Sequence, residues 1–522
     1  MQKIEINDEF ARALDLLGSS NKTVFITGKA GTGKSTLLTY FRENTDKSVA
    51  VLAPTGVAAL NIRGQTIHSF FRFPVTVTPQ SARKKKPSKA FVEMLQKLDA
   101  LVIDEVSMVR ADLMDCIDEA LRSCLKNKKP FGGIQMIFIG DLYQLPPVVA
   151  GKEERELFRT HYASPYFFDA KVFENSPDGG QDFKMEFIEL EKIYRQRDND
   201  FIELLNKIRN NSVEEKDIER LNSRCGLDLD EGSEEFYITL TTTNTAADVI
   251  NNGKLARLAT PLKTYIADVK GDFDSKHYPT ALNLELKVGA QVMLLNNDSA
   301  GHWVNGSVGK IVEITVGETG EDLLTVELST GKIVEVSPYA WKVSRYFYNK
   351  DKKMLDSESI GSFTQYPMRP AWAVTIHKSQ GKTFDRVVID IGKGSFAHGQ
   401  VYVGISRCTS FEGLVLKKPI LKKHIWMDWH IVKFLTRYQY QKSEEAMSLD
   451  DKLKRIHRAI ADEETLDIVY LKANDVKSKR SIKPQNVGKM DYLGKPFIGV
   501  EGYCLKRRDM RVFRVDRILE IN

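Results

Sequence analysis

The sequence predicts an α/β protein with two parallel-sheet domains in tandem, small inserted β domains and a C-terminal β-rich module. Three observations predict this fold class. Apolar strands alternate with helix-like segments before residue 266 and resume at about residue 371, a pattern typical of parallel sheets. Short alternating strands fill residues 266–364, and strands return after residue 465. At ~150 residues per domain, a chain of 522 residues holds three to four domains.

The composition patterns place the domain boundaries. We expect the first α/β domain at residues 1–185, opening with a helix over residues 4–17, and the second at 186–432 with a β-barrel insertion at 266–364. The polar, helix-like residues 433–464 are expected to be a linker, and residues 465–522 the β module.

Composition excludes several classes of protein. With 42% hydrophobic and 28% charged residues, the chain is of the globular class, and no apolar stretch reaches membrane-spanning length. A net charge of +6 permits a polyanionic partner without requiring one. The five cysteines lack CxxC spacing, and the first residues lack a targeting pattern. We therefore expect a cytoplasmic or nucleoid-associated protein.

A glycine-rich loop between a strand and a helix is the strongest motif. The strand is Thr23–Thr27, and the helix-like segment begins at Thr36. Glycines let backbone N–H groups turn toward a phosphate chain at the helix N-terminus, and the context matches the phosphate-loop motif. The candidate nucleotide-binding residues are Gly28, Ala30, Gly31, Thr32, Gly33, Lys34, Ser35 and Thr36. The loop alone does not distinguish a kinase, a GTPase, a transporter ATPase and a helicase.

Paired carboxylates follow a second apolar strand, Ala100–Ile103. In a phosphate-loop enzyme, Asp104 and the Ser35 hydroxyl would hold Mg2+, which prefers oxygen ligands. Glu105 would orient and deprotonate the attacking water. The pair therefore predicts nucleotide hydrolysis at this sheet.

Three further residues complete the predicted hydrolytic site. Gln144 follows the strand Gln135–Ile139 and can sense a terminal phosphate without repelling it. Arg195 and Arg407, assigned to the second α/β domain, are candidates to complete the site across a cleft. Each arginine alone would more often form a surface ion pair.

Two stretches of the first domain suggest nucleic-acid contacts. Pro54 and Thr55 end a strand at the sheet edge where ligands of open α/β sheets bind, although a plain strand-to-helix turn fits equally well. The stretch 64–73, with Thr66, His68 and three phenylalanines, has side chains that stack on bases and bond phosphates. The basic run 83–87 beside it is most simply a solvated loop.

The motifs together resemble superfamily 1 helicases, and in particular the petite-integration-frequency (PIF) DNA helicases. The resemblance covers residues 1–432 and rests on motifs in the family's order: GKAGTGKS, APTG, IDE, GDLYQLPP, IYRQ, TIHKSQG and GISR. It implies two RecA-like domains that bind ATP in their cleft and single-stranded DNA across their tops, with translocation toward the 3′ end. It further implies a small wedge at 63–89 and an SH3-like insertion at 266–364. The expected partners are single-stranded DNA and forked or structured DNA, and we expect a monomer.

The resemblance also assigns residue roles. Lys34, Ser35, Asp104, Glu105, Gln144, Arg195 and Arg407 match ATP-site positions, and His68, Asn244, Thr375, His377 and Ser379 match positions that face DNA. The sequence departs from the family at Phe10, the position where a glutamine usually recognises adenine. Gln2 is the candidate to take over that role. Weaker discrimination between ATP and other nucleotides is therefore expected.

The C-terminal residues resemble the WYL regulatory domain, through segments such as Lys479–Pro484 and Phe513–Ile518, although the Trp-Tyr-Leu tripeptide is absent. Arg511 and Arg517 are expected on one face of a strand. A basic β module for protein contact fits the same residues. For the whole chain, the alternatives to a DNA helicase are a nucleic-acid-stimulated ATPase that remodels complexes without unwinding, and an RNA helicase.

Overall fold

The computed structural model describes residues 6–74, 76–149, 151–174, 185–196, 198–227, 236–317, 320–349, 351, 354–392, 394, 397–472, 477–492 and 494–522. The chain divides into two compact units, one of residues 1–206 and 213–425, the other of residues 207–212 and 426–522. Among the described residues, no helix is both long enough and apolar enough to cross a membrane.

The first domain of the larger unit is built on a six-stranded parallel sheet in the order β3-β2-β4-β5-β1-β6. Its elements are α1 (Asp8–Ser19), β1 (Thr23–Gly28), α2 (Lys34–Asn44), β2 (Val49–Ala53), α3 (Gly56–Asn61), β3 (Gln65–Thr66), α4 (Ile67–Phe71), α5 (Pro79–Lys84), α6 (Lys89–Gln96), β4 (Ala100–Ile103), α7 (Ala111–Leu125), β5 (Gln135–Ile139), α8 (Lys152–His161) and β6 (Met185–Leu190).

The central strands of this sheet are buried on both faces. Strand β1 is buried at all six positions, and β4 and β5 at every position, as expected for apolar strands covered by helices. Strand β6 pairs with β1 from Thr23 opposite Met185 to Gly28 opposite Leu190. The first sheet therefore runs to residue 190, beyond the boundary expected at residue 185.

The segment expected to form a wedge at 63–89 is helical. Apart from β3, which pairs with the sheet edge, its described residues form α4, α5 and the start of α6. Phe70, Phe71 and Phe73 are 4–7% exposed, and the first two pack edge-on against Phe91. These rings are core residues, so the prediction that they stack on bases is wrong.

The second domain holds a four-stranded parallel sheet in the order β18-β7-β19-β20. Its elements outside the insertion are α9 (Asn199–Arg209), α10 (Glu215–Asn222), β7 (Ile238–Thr241), α11 (Asn244–Arg257), β18 (Ala373–Thr375), β19 (Val387–Asp390), α12 (Gln400–Ile405) and β20 (Leu414–Leu416).

The insertion lies between α11 and β18 and is antiparallel, as its alternating strands predicted. Its strands form sheets of five (β14-β13-β12-β11-β17), three (β15-β16-β9) and two (β10-β8) around a buried aliphatic core. They are β8 (Lys263–Ile266), β9 (Asp268–Gly271), β10 (Asn283–Leu286), β11 (Gln291–Leu294), β12 (Val308–Val316), β13 (Asp322–Leu328), β14 (Ile333–Val336), β15 (Tyr339–Asn349), β16 (Met354–Gln365) and β17 (Met368–Pro370).

The smaller unit is a five-stranded antiparallel sheet with two helices. Its elements are α13 (Trp429–Ala446), α14 (Leu449–Ala461), β21 (Leu466–Leu471), β22 (Lys477–Tyr492), β23 (Lys495–Cys504), β24 (Asp509–Arg514) and β25 (Ile518–Ile521). The sheet order is β24-β23-β22-β21-β25. Arg511 lies on β24, but Arg517 lies in a 3-10 turn after it. The two arginines therefore do not share a strand face.

The residues expected to form a linker, 433–464, are helical but belong to this unit. Ile456 and Ala459 of α14 are fully buried in the module's core with Ile468 and Val500. The Ser443 hydroxyl of α13 donates to the carbonyl of Leu519, 2.7 Å away. The segment is thus the helical layer of the module, because its apolar face covers the sheet.

Because of these contacts, the best truncation site lies before α13 and not within the segment 433–464 that was expected to be a linker. A chain ending at Ile425 removes the smaller unit apart from residues 207–212 and should fold and keep its nucleotide hydrolysis within about tenfold of the full chain, since domains with separate cores fold independently. A chain ending at Gln441 keeps most of α13 (Trp429–Ala446) without its sheet and should be less soluble. Circular dichroism and an ATPase assay on both chains test this; a folded but inactive 1–425 chain would contradict it.

Candidate active site

The phosphate loop lies between β1 and α2, as predicted. Gly31 and Gly33 have φ of +82° and +86°, and a Cβ at Gly31 would lie 2.5 Å from the Arg195 Cβ, so position 31 needs glycine. The Lys34 ammonium donates to the carbonyls of Gly28 and Lys29, at 2.7 and 3.0 Å. The Lys34 side chain therefore bonds back to the start of the loop, which fixes the loop conformation at the N-terminus of α2.

The two carboxylates, Asp104 and Glu105, directly follow β4. They lie at the same edge of the sheet as the phosphate loop. Asp104 is 8% exposed; burial, and then the charge of Glu105, raise the pKa of Asp104 to about 7. Burial also raises the pKa of Glu105, while Lys34 and Arg407 act to lower it. Glu105 has a positive φ of 49°, an uncommon conformation for this residue type that often marks a functional site. The local backbone therefore aims a carboxyl group at the loop.

Gln144 is fixed by a neighbouring carboxylate. Its amide Nε2 donates to Asp141 Oδ2 at 3.2 Å, and Asp141 Oδ1 accepts the backbone N–H of Tyr143 at 3.1 Å. Both Gln144 and Asp141 are buried. The amide is thus oriented before any ligand arrives.

The two arginines reach the site from different places. Arg407 follows α12 in the second domain and is 1% exposed; its guanidinium donates to the carbonyls of Val403 and Lys382. Burial, and then Arg195, lower the pKa of Arg407 to about 9. Arg195 instead follows β6 of the first sheet and packs on the phosphate loop, where the N–H of Tyr194 donates to Gly31. The assignment of Arg195 to the second domain is therefore wrong.

These residues surround one cavity of about 640 Å³ between the two sheets of the larger unit. All predicted nucleotide residues except Gly28 line it, together with Glu105, Gln144, Arg195 and Arg407. Phe10 and Tyr194 also line it, and a Cβ at Gly33 would lie 3.9 Å from both rings. The cavity thus has both charged and aromatic walls. Gln2 lies outside the described residues.

The predicted nucleic-acid residues fall into two groups. Thr66 and His68 line a cavity of about 300 Å³ with Gly56, His277 and Lys342, and burial, followed by the charge of His277, lowers the pKa of His68. Pro54 and Thr55 are half-buried just before Gly56. The structure brings these four residues to one edge of the first sheet.

The second group lies in the second domain. Asn244 and Thr375 line a cavity of about 360 Å³ with Lys378 and Arg369. Ser379, by contrast, is fully buried, and its hydroxyl donates to the Ile376 carbonyl at 2.8 Å. Its predicted contact with DNA is replaced by a supporting role in the turn. His377 is half-buried, and burial lowers its pKa.

Sequence reasoning missed three groups near the nucleotide cavity. Tyr402 of α12 accepts the Ala30 N–H at 3.1 Å, and Gly381 and Thr383 line the cavity. Tyr402 lies five residues before Arg407 and just ahead of the GISR motif already singled out, which is the signal that could have identified it.

Lys382, between Gly381 and Thr383, is a buried lysine. It is 8% exposed, and its ammonium contacts Met293 Sδ of the insertion at 3.0 Å. Burial, and then the charges of Arg369 and Lys378, lower the pKa of Lys382 to about 7. In the unfolded chain the pKa returns to its ordinary 10.5, so the folded state binds fewer protons than the unfolded state between these values.

Lys382→Met should therefore stabilise the protein by a few kcal/mol at pH 7, because each pKa unit corresponds to about 1.4 kcal/mol. The advantage should shrink as the pH rises from 7 to 10.5, where burial of the neutral amine costs progressively less. Thermal unfolding at pH 7 and pH 9.5 measures it, with Lys332→Met, at an exposed lysine of the insertion, as the matched control. A pH-independent difference would contradict the depressed pKa.

Two parallel-sheet domains that share one phosphate loop, an acidic pair and an arginine from the second domain define a nucleotide-hydrolysing motor of the two-domain helicase class. Residues 5–219 match the family model of PIF1-like helicases. The chain is 32% identical over 427 residues to the ATP-dependent DNA helicase Pif1 of Bdellovibrio bacteriovorus, covering 80% of this chain and 88% of that protein. The chain therefore belongs to the PIF1-like helicase family.

Solved structures agree with this membership. The structure of Bacteroides sp Pif1 in complex with ADP-AlF4 superposes with a TM-score of 0.76 at 35% identity, over 84% of this chain and 98% of that one. Bacteroides Pif1 bound to ssDNA gives a TM-score of 0.61 at 36% identity over the same shares. Residues 451–522 match the WYL domain, which includes α14 as well as the sheet.

Proposed function

We propose that this protein is an ATP-dependent DNA helicase that moves 5′ to 3′ along single-stranded DNA and unwinds duplex or forked DNA. The observation that carries the proposal is the shared cavity, in which a phosphate loop on the first sheet faces Arg407 of the second domain. Closure of the two domains on ATP and reopening after hydrolysis would then move them relative to each other along a bound strand.

The charged and polar residues of the cavity have distinct proposed roles. Lys34 and the loop N–H groups neutralise and orient the phosphates. Glu105 accepts a proton from the attacking water, a role that its raised pKa suits. Gln144, held by Asp141, positions that water, and Arg407 stabilises charge on the transferred phosphoryl group. ATP is the expected substrate, since the Bacteroides relative is solved with ADP-AlF4.

The donor set also fits Mg2+. Ser35 lines the cavity, and Mg2+ is usually bound by one or two protein oxygens together with substrate phosphates and waters. Ser35 and Asp104 would supply those ligands. The pKa of Asp104, raised to about 7 by burial and by Glu105, would be lowered by a cation there. The ion would neutralise charge on the phosphates.

DNA would cross the two smaller cavities. The first offers His68, Thr66 and Lys342, and the second Asn244, Thr375 and Lys378. Hydroxyls, amides and lysines of this kind bind phosphates without reading sequence. The structure of the Bacteroides relative bound to ssDNA supports the proposal that this chain binds a single strand.

Stimulation of ATP hydrolysis by polynucleotides tests whether the protein acts on DNA or on RNA. We expect single-stranded DNA to raise kcat and single-stranded RNA of the same sequence to raise it far less. The DNA concentration for half-maximal stimulation should rise with salt, with a log-log slope near −0.7 for each phosphate neutralised. Equal stimulation by RNA would favour an RNA helicase, and no stimulation by either would contradict the proposal.

The aromatic residues that line the cavity predict weak selection among nucleotide bases. Phe10 is 4% exposed and faces the site with Tyr194, and aromatic walls bind every base by its π face. We expect kcat/KM for GTP and ATP to differ by less than about tenfold, since apolar pockets discriminate weakly. Steady-state hydrolysis of the four ribonucleotides measures this, with Phe10→Gln as the variant expected to favour ATP. A preference for ATP above ~10^3-fold would show that another group reads adenine.

A further inference from the structure

Helix α12 and the two residues before it, His398 and Gly399, contact the first domain at two places. The Ala30 N–H of the phosphate loop donates to the Tyr402 hydroxyl at 3.1 Å, in a buried position. One turn earlier, the His398 Nε2 lies 3.3 Å from the Leu142 carbonyl oxygen. A Cβ at Gly399 would lie 2.3 Å from the Tyr143 carbonyl. The helix and these two residues therefore touch both the phosphate loop and the segment that carries Gln144.

Tyr402 is bonded to the phosphate loop that lines the cavity and interacts with two arginines of the site. It is 5% exposed. Burial lowers the pKa of both Arg195 and Arg407, and the interaction with Tyr402 partly offsets that lowering for each. The Ala30 N–H is therefore bonded to a hydroxyl that interacts with both arginines of the site.

A backbone N–H has one proton to donate. Successive N–H groups of a phosphate loop bind phosphate oxygens, so Ala30 can serve Tyr402 or a phosphate, but not both well. ADP and ATP differ only by the γ-phosphate. If the Ala30 N–H serves the γ-phosphate, its contact with Tyr402, a neighbour of both arginines, competes with ATP and leaves ADP unaffected.

We propose that Tyr402 is a positioning residue of the nucleotide site, which holds the phosphate loop to α12 until the γ-phosphate of ATP takes over the Ala30 N–H. The inference rests on the proposed ATP-driven function and adds a residue to it. Because Ser406 and Arg407 directly follow α12, release of Tyr402 frees the helix that carries Arg407. Domain closure is then coupled to ATP rather than to ADP.

Tyr402→Phe tests the inference, because it removes only the hydroxyl group. Titration of the full chain with fluorescent ADP and with a non-hydrolysable ATP analogue gives the two affinities. We expect the analogue to bind about 2- to 10-fold more tightly than to the unsubstituted chain, the equivalent of one hydrogen bond that no longer has to be broken. ADP affinity should stay within about twofold, and KM for ATP should fall with little change in kcat.

The matched control is Tyr366→Phe, which removes a buried hydroxyl that donates to the Asp322 carbonyl in the insertion. It should change neither affinity. Equal changes for ADP and the analogue, no change for either, or weaker analogue binding would each overturn the role given to Tyr402. Failure of the unsubstituted chain to bind either nucleotide would instead overturn the proposed function.

Discussion

Arg407→Ala is expected to lower the kcat of DNA-stimulated ATP hydrolysis by about 10^3-fold or more, the range measured for arginines that reach a transferred phosphoryl group. The guanidinium stabilises charge that develops only in the transition state, so nucleotide affinity should fall far less than turnover. Rapid-quench hydrolysis and fluorescent-nucleotide binding separate these quantities.

The control for Arg407 must account for its structural contacts. The guanidinium also donates to the Ser406 hydroxyl at 2.9 Å and to two backbone carbonyls, so alanine removes buried hydrogen bonds as well as charge. Arg407→Lys keeps a positive charge without the planar fork and should recover only part of the rate. If Arg407→Ala retained its turnover, or lost ADP binding to the same extent as turnover, the assigned role would be wrong.

Glu105→Gln should lower turnover by about 10^2- to 10^4-fold, the contribution of a positioned general base. The amide has nearly the shape of the carboxyl group but cannot accept the water's proton, so the variant should still bind ATP. Single-turnover hydrolysis with bound-nucleotide measurement tests both statements.

Lys34→Ala provides the comparison for Glu105→Gln. It removes the ammonium that neutralises the phosphates, so it should lose nucleotide affinity as well as turnover. A Glu105→Gln chain that hydrolyses ATP at the unsubstituted rate would transfer the role of base to another residue.

The sequence predicted the chemistry where the residues are close together in the chain. The phosphate loop and the Asp104–Glu105 pair each need only a strand, a turn and the next few residues, so local pattern is enough. The strands β1, β2, β4 and β5 followed from continuous apolar runs. The helices of the smaller unit also carried a readable signal, since Leu449, Leu453, Ile456 and Ile460 recur at helical spacing.

Other features depend on residues distant in sequence and could not be predicted. Phe70 is a core residue because two distant rings pack against it: Phe91 of α6, and Tyr346 of the insertion. The bond between Ala30 and Tyr402 joins positions 372 residues apart. Arg195 looked like part of the second domain because strand β6 before it gave no sign of which sheet it would join.

Strand displacement tests the central claim of an ATP-driven 5′-to-3′ helicase most directly. The substrates are two duplexes of identical sequence, one with a 5′ single-stranded tail and one with a 3′ tail, and Glu105→Gln is the inactive control. We predict ATP-dependent release of the displaced strand from the 5′-tailed duplex, much slower release from the 3′-tailed duplex, and none with Glu105→Gln. Hydrolysis of ATP on the 5′-tailed duplex without strand release would contradict the helicase assignment, and faster release from the 3′-tailed duplex would contradict the direction.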